Sequence, residues 1–168
     1  AAVYTGARDQ LPLTLVIDNN TVSNAKGTEG IGIYLDDYAN GVTINNNRVS
    51  GSTRGLFLHN AFNTVISNNT FGSSAIAEVT IRQDTAGTVR NNKFTNNKIN
   101  AGAGVQTYNM ETGANLKTFI SADYNTYTSA DVNVFHRYWS GSSAGVTQSY
   151  TAWKSWSGLD AHSTMNGR

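Results

Sequence analysis

The chain contains no cysteine and a single proline, Pro12. Disulfides therefore contribute nothing, and thiols say nothing about the redox compartment. Charge is sparse: 14% of the 168 residues are charged, and the formal net charge is +1. So weak a balance gives no basis for a nucleic-acid partner or an anionic membrane surface. No run of 18 apolar residues exists, so no segment has the length of a membrane-spanning helix. The first nine residues lack the basic-then-apolar order of a signal peptide. If the protein is secreted, its signal is expected to lie outside this sequence.

What is abundant is polar and uncharged, with 21 Asn and 16 Gly. Both residue types tolerate the left-handed backbone of sharp corners. A disordered chain can share that bias, but it would not also carry regular apolar triplets. The pattern Asn-Asn-x-(Val/Phe) recurs at Asn19-Asn20-Thr21-Val22, Asn46-Asn47-Arg48-Val49, Asn68-Asn69-Thr70-Phe71 and Asn91-Asn92-Lys93-Phe94. The steps between copies are 27, 22 and 23 residues. A looser fifth copy, Asp123-Tyr124-Asn125-Thr126-Tyr127, follows 33 residues after Asn92.

A short β-like run precedes each copy: Leu15-Val16-Ile17, Val42-Thr43-Ile44, Thr64-Val65-Ile66, Thr88-Val89-Arg90 and Thr118-Phe119-Ile120. A second alternating strand follows each, at residues 30–35, 55–58, 78–81, 105–108 and 132–135. One coil is thus a strand, an Asn corner, a second strand and a loop of variable length. No coil can bury its apolar edge alone, so the coils stack in parallel at about 4.8 Å per rung. This predicts an all-β right-handed parallel β-helix of about five coils. Ile33, Leu56 and Val79 share one inward column, and Leu35, Leu58 and Ile81 the next. The paired Asn residues stack as a corner ladder. A leucine-rich repeat would need a leucine consensus and a helical segment in each unit. Val, Ile and Thr dominate here instead. A β-sandwich would not carry an in-register Asn repeat.

The C-terminal end breaks the repeat. Residues 147–156 read as a short helix, N-capped by Thr147 or Ser149 and closed by Gly158, after a loop at 140–145. Tyr150, Trp153 and Trp156 share one face, which is expected to cover the open end of the core. A sugar-stacking platform is the other use of such a face. Residues 1–145 are read as coils and 146–168 as the cap. The first residues offer no matching lid, so residues 1–12 fold over the N-terminal edge, or another chain or upstream coils cover it; upstream coils are the first expectation and a partner chain the second.

These coils resemble the right-handed β-helix repeat family of bacterial carbohydrate-active proteins, which includes polysaccharide lyases, glycoside hydrolases, uronan epimerases and tailspike depolymerases. The ending Trp153-Lys154-Ser155-Trp156-Ser157-Gly158-Leu159-Asp160-Ala161-His162-Ser163 is similar to the closing coil of such proteins. The resemblance implies a secreted protein acting on, or binding, a polysaccharide. It specifies fold more than reaction.

Aligning the coils on their inward columns yields the outward lines of one strand face. Tyr34, Phe57 and Thr80 form one line and Asp36, His59 and Arg82 the next, with Asp37, Asn60 and Gln83 beside them at the strand ends. A lyase must neutralise a uronate carboxylate, remove a proton and protonate a leaving oxygen. Arg82 suits the first task and His59 the proton transfer. Asp36 would orient His59, and Tyr34 would donate to the leaving group. Asp36, His59 and Arg82 are therefore the candidate catalytic set, and Tyr34, Phe57, Asp37, Asn60 and Gln83 the candidate substrate-binding residues. The blander account is a solvated face stabilised by cross-strand charge pairs.

No cofactor is required. A uronate lyase of this type can recruit Ca²⁺, but Asp36 and Asp37 alone provide too few oxygen ligands. Three scattered His residues and no Cys argue against zinc. His136 is expected to pack under the cap, and His162 to serve the cap as a hydrogen-bonding residue. For glycoside hydrolysis two carboxylates must lie about 5–9.5 Å apart. Glu78 is expected exposed but roughly 13 Å from the Asp36 line, and Asp84 at or beyond the limit. The rival functions are a non-catalytic carbohydrate-binding or adhesive module and a structural part of a trimeric fibre or tailspike.

Overall fold

The computed structural model describes residues 1–84, 89–112, 118–139 and 145–167. Five coils of three strands follow one another. The first holds β1 (Val3–Thr5), β2 (Val16–Asp18) and β3 (Thr21–Ser23); the second β4 (Ile31–Leu35), β5 (Thr43–Asn45) and β6 (Arg48–Ser50). The third holds β7 (Arg54–His59), β8 (Val65–Ser67) and β9 (Thr70–Gly72); the fourth β10 (Ala77–Arg82), β11 (Asn92–Thr95) and β12 (Lys98–Ala101). The fifth holds β13 (Gln106–Thr112), β14 (Ile120–Asp123) and β15 (Thr126–Ser129). A closing turn adds β16 (Asn133–Trp139), β17 (Gly145–Ser149), α1 (Tyr150–Ser157) and β18 (Thr164–Gly167).

The strands form three sheets. Sheet A runs β1-β4-β7-β10-β13-β16-β17, sheet B β2-β5-β8-β11-β14, and sheet C β3-β6-β9-β12-β15-β18. Among the described residues all strand pairings are parallel except β16–β17. This is the predicted parallel β-helix. The coil nevertheless has three strands, not two. The missed one, in sheet C, follows the Asn corner directly and is three or four residues long in each coil. So short a strand carries no readable alternation.

The inward columns fall as expected: Ile33, Leu56 and Val79 are in register, as are Leu35, Leu58 and Ile81. All six are fully buried. Towards the C-terminal end the core turns aromatic, with Tyr108, Tyr127, Phe135 and Trp153 packed ring against ring. Gly32 and Gly55 let neighbouring coils approach: a Cβ on either would lie 2.6 Å from a backbone oxygen of the coil above.

The corner ladder exists, with one copy reassigned. Asn20, Asn47, Asn69, Asn97 and Asn125 stack, the first four each donating backbone N–H and Nδ2 to the Oδ1 of the next at 2.9–3.3 Å. The fourth rung is Asn96-Asn97, not Asn91-Asn92. Asn92 is buried at a different corner, where its Oδ1 accepts from Thr64. Val89 and Arg90 accordingly precede β11 and are not part of it, and Thr88 lies outside the described residues. The residue before each rung takes a left-handed conformation, at Asn19, Asn46, Asn68, Asn96 and Tyr124.

The helical cap forms at the predicted place, one turn shorter at its start. Ser149 is the N-cap, its Oγ accepting from Ala152 N, and Gly158 closes the helix at φ 69°. Thr147 belongs to β17, and residues 140–144 of the expected loop lie outside the described residues. Trp153 is buried, with Tyr150 and Trp156 half-buried on the same core. Arg137 lies 4.0 Å over the Trp156 ring. Asp160 locks the cap to the ladder. Its carboxylate accepts from Trp153 Nε1, Tyr127 OH, Ser163 Oγ and, at 3.4 Å, Asn125 Nδ2. At the other end β1 completes sheet A below β4, and Val3 and Leu13 pack on the core.

Two stability tests follow. Asn69→Ala removes the donor to Ile44 O and Ser67 O and the acceptor for Asn47. It should cost about 3 kcal/mol or more in urea unfolding, whereas Asn68→Gly, at the exposed corner, should be nearly neutral. Glu78, expected on the surface, is fully buried, bonded by Ser74 N and Oγ. Burial raises its carboxyl pKa, only partly offset by those Ser74 bonds. Its ionised form therefore costs stability above the folded pKa, and the cost fades as pH falls. Glu78→Gln should stabilise the protein at neutral pH, with the gain shrinking in acid.

Candidate functional site on the outer face of sheet A

The longest strands lie in sheet A, and their outward side chains form two lines. Tyr34 is in register with Phe57, and Phe57 with Thr80. The Tyr34 and Phe57 rings stack at 4.9 Å and 10°. The line starts one coil earlier than sequence reasoning placed it, because Tyr4 is in register with Tyr34 and meets its ring edge-on at 5.3 Å. The alternation of Val3-Tyr4-Thr5 was the available signal. Phe57 is nearly buried beneath its neighbours, so Tyr4 presents the most open ring of the line.

Beside it the second line gathers three carboxylates around one imidazole. His59 Nδ1 lies 2.8 Å from Asp36 Oδ1 and 3.7 Å from Asp37 Oδ1, and Nε2 lies 3.2 Å from Asp84 Oδ2. When both ring nitrogens carry hydrogen, the ring donates to Asp36 and Asp84 at once. Tyr34 OH and Tyr4 OH both donate to Asp36, at 2.8 and 3.0 Å. Burial pushes the Asp36 carboxyl up, but hydrogen bonds from His59, the Asp37 backbone and the two tyrosines outweigh it, and the net shift is downward. Burial and the bond to Asp36 push the Tyr34 hydroxyl up.

Asn60, buried and left-handed at φ 53°, closes the cluster. Its Nδ2 donates to Asp37 at 2.9 Å and to Asp84 at 3.0 Å, while its Oδ1 accepts from Asp84 N. Those two carboxylates therefore face each other within about 6 Å. This corrects the expectation that Asp84 lies too far from its fellows. Asp84 follows β10 by two residues and reaches back to His59 and Asn60 of the coil below.

Arg82 is one rung above His59 in register. Its Nε holds Glu111 at 2.8 Å, and Tyr138 OH donates to the same Glu111 oxygen at 3.0 Å. Burial beside Glu111 lifts the Tyr138 hydroxyl to about 12. Glu111 and Tyr138 extend the Asp36-His59-Arg82 line by register and went unnoticed in the sequence. Gln83 is turned to its own loop, where its Oε1 accepts from Val89 N. His136 bonds Thr147 in the closing hairpin, and His162 bonds Asp123.

The structure thus brings together Asp36, Asp37, His59, Asn60 and Tyr34, adds Asp84 and Tyr4, and sets Arg82 in a second group with Glu111. Ligand atoms of Asp36, Asp37 and His59 lie within 4.8 Å of one another, a spacing that can hold a divalent cation if water completes the shell. With acidic oxygens on both sides of a titratable ring, the cluster has the parts for acid–base chemistry.

The depressed Asp36 carboxyl makes a pH prediction. Its hydrogen bonds stabilise the fold above the ordinary carboxylate range, and that stability is lost as pH falls through the lowered folded value. His59→Ala removes one lowering bond. The Asp36 carboxyl, followed by carbon-detected NMR titration, should then titrate at higher pH than in the parent chain.

Comparison with curated proteins and with solved structures gives no match for this chain. Residues 2–150 match the family described as "Right handed beta helix region". With nearly the whole chain covered and three parallel sheets wound into successive coils, the protein belongs to the right-handed β-helix family.

Proposed function

We propose that this chain is a carbohydrate-active β-helix that binds a polysaccharide along the outer face of sheet A and hydrolyses it at the cluster around His59. The observation that carries the proposal is a pair of carboxylates from different coils, Asp36 and Asp84, facing the two nitrogens of one imidazole beside an aromatic line. Their facing oxygens are separated by up to about 8 Å, and those of Asp37 and Asp84 by up to about 6 Å, which reaches the spacings glycosidases use. Asp36, held ionised by its donors, serves as the base. Asp84 serves as the acid, and His59 returns the proton between them. Tyr4 and Tyr34 supply stacking surface for sugar rings.

Arg82 favours a second reading, elimination from a uronate polymer. Its Nε is anchored by Glu111, which directs the rest of the fork at a carboxylate one rung from His59. In that case a cation on Asp36, Asp37 and His59 would share the neutralisation. Either reading carries an extracellular or periplasmic location with it, and leaves room for further coils or a partner chain against the N-terminal edge.

Incubation with a panel of neutral and uronic polysaccharides separates these readings. New reducing ends without an ultraviolet-absorbing product mean hydrolysis. Reducing ends with that product mean elimination. Binding with neither means a carbohydrate-binding module. Under hydrolysis, Asp84→Asn should lower kcat by about 10²- to 10⁴-fold, while Tyr34→Ala should chiefly raise KM. Full turnover by Asp84→Asn would rule out the acid role.

A further inference from the structure

A second feature sits on sheet B, around the corner from the cluster just described. In the first four coils the residue before the ladder Asn is itself Asn, at φ 55–58°: Asn19, Asn46, Asn68 and Asn96. In the fifth coil that position is Tyr124, at φ 58°. Asn suits a left-handed corner, whereas a bulky aromatic residue is strained there. Such strain persists where the surroundings hold it and a function uses it.

The surroundings do hold it. The Tyr124 ring lies parallel to the His162 imidazole, at 4.9 Å and 8°. His162 is fixed through two bonds to Asp123, from its backbone N–H at 2.7 Å and at Nδ1 at 2.8 Å. Tyr124 N also donates to Asp123. Both Asp123 oxygens are thus engaged, while the Tyr124 side remains 57% exposed. The ring borders an open concavity of about 500 Å³ whose other walls include Lys93, Thr95, Ser121, Leu159 and two carboxylates already engaged by donors, Asp123 and Asp160. Lys93 is exposed and makes no ion pair among the described residues. Its strand position is in register with Ser121, three residues short of Tyr124, or roughly 10 Å along the strand. One sugar ring plus the reach of a lysine side chain covers that distance.

We infer that this concavity is a separate saccharide subsite, which takes an acidic sugar with its apolar face on the Tyr124 ring and its carboxylate on the Lys93 ammonium. The rigid Asp123–His162–Tyr124 stack pre-forms the platform. The subsite needs no reaction on sheet A and shares only the saccharide class with the proposed function.

The test is an NMR titration of the full chain with glucuronic acid and its trisaccharide, against glucose and its trisaccharide. Glucuronate should shift Tyr124, His162 and Lys93 resonances. Lys93→Gln should weaken that binding about tenfold and erase the preference over glucose. Tyr34→Ala on sheet A should leave the Tyr124, His162 and Lys93 shifts unchanged. Tyr124→Asn restores the corner residue of the other coils, so it should keep or raise Tm, by about 2–4 °C, while weakening binding about tenfold. Unchanged affinity in Tyr124→Asn, equal binding of glucose and glucuronate, or shifts confined to sheet A would overturn the inference. Failure of the cleavage assay while glucuronate still shifts Tyr124 would remove the sheet A reading alone.

Discussion

A buried amide at one point of every coil sets the rest of this molecule. The middle rungs, Asn47, Asn69 and Asn97, each donate upward to the Oδ1 of the next and also cap carbonyls of their own coil and the one below, as Asn69 does with Ser67 O and Ile44 O. The chain of amides therefore has a direction, with oxygens facing the N-terminal end and N–H groups facing the C-terminal end. It stops on Asp160, a buried carboxylate placed where the donors accumulate. Because Asp160 also holds Trp153 and Tyr127, the lid is tied to the ladder and not merely laid over the core.

With the corner pinned, the other features can vary. Steps between rungs of 22 to 28 residues are absorbed by the loops, where length costs little. Strands in register at about 4.8 Å turn outward side chains into lines. On sheet A these lines supply an aromatic strip and a charged strip. Just past the ends of those strands, Asp37, Asn60 and Asp84 gather around His59. A rigid stack with chemically varied loops is how one scaffold comes to carry different sites.

Several of these features were legible beforehand, for physical reasons. The inward columns, the corner asparagines and the capping helix announce themselves through periodicity, left-handed tolerance and N-cap and C-cap residues. The third sheet did not, since Thr21–Ser23 and its counterparts are too short to show alternation. Asn91-Asn92 imitates a rung in letters only, and stacking against the coil below identifies Asn97 instead. Glu78 read as exposed because alternation places it outward, yet Gly55 leaves room beneath it and Ser74 covers it.

The sequence by itself determined the repeat, and with it the β-helix, its parallel register and its aromatic end, because each of these follows from local pattern repeated at a steady interval. It also placed Asp36, His59 and Arg82 on one line. Only the tertiary structure decided that Asp84 joins His59 and that Arg82 turns instead to Glu111. Those outcomes depend on which way a loop turns and which neighbour a long side chain reaches. Contacts between coils more than twenty residues apart settle both, and no local pattern encodes them.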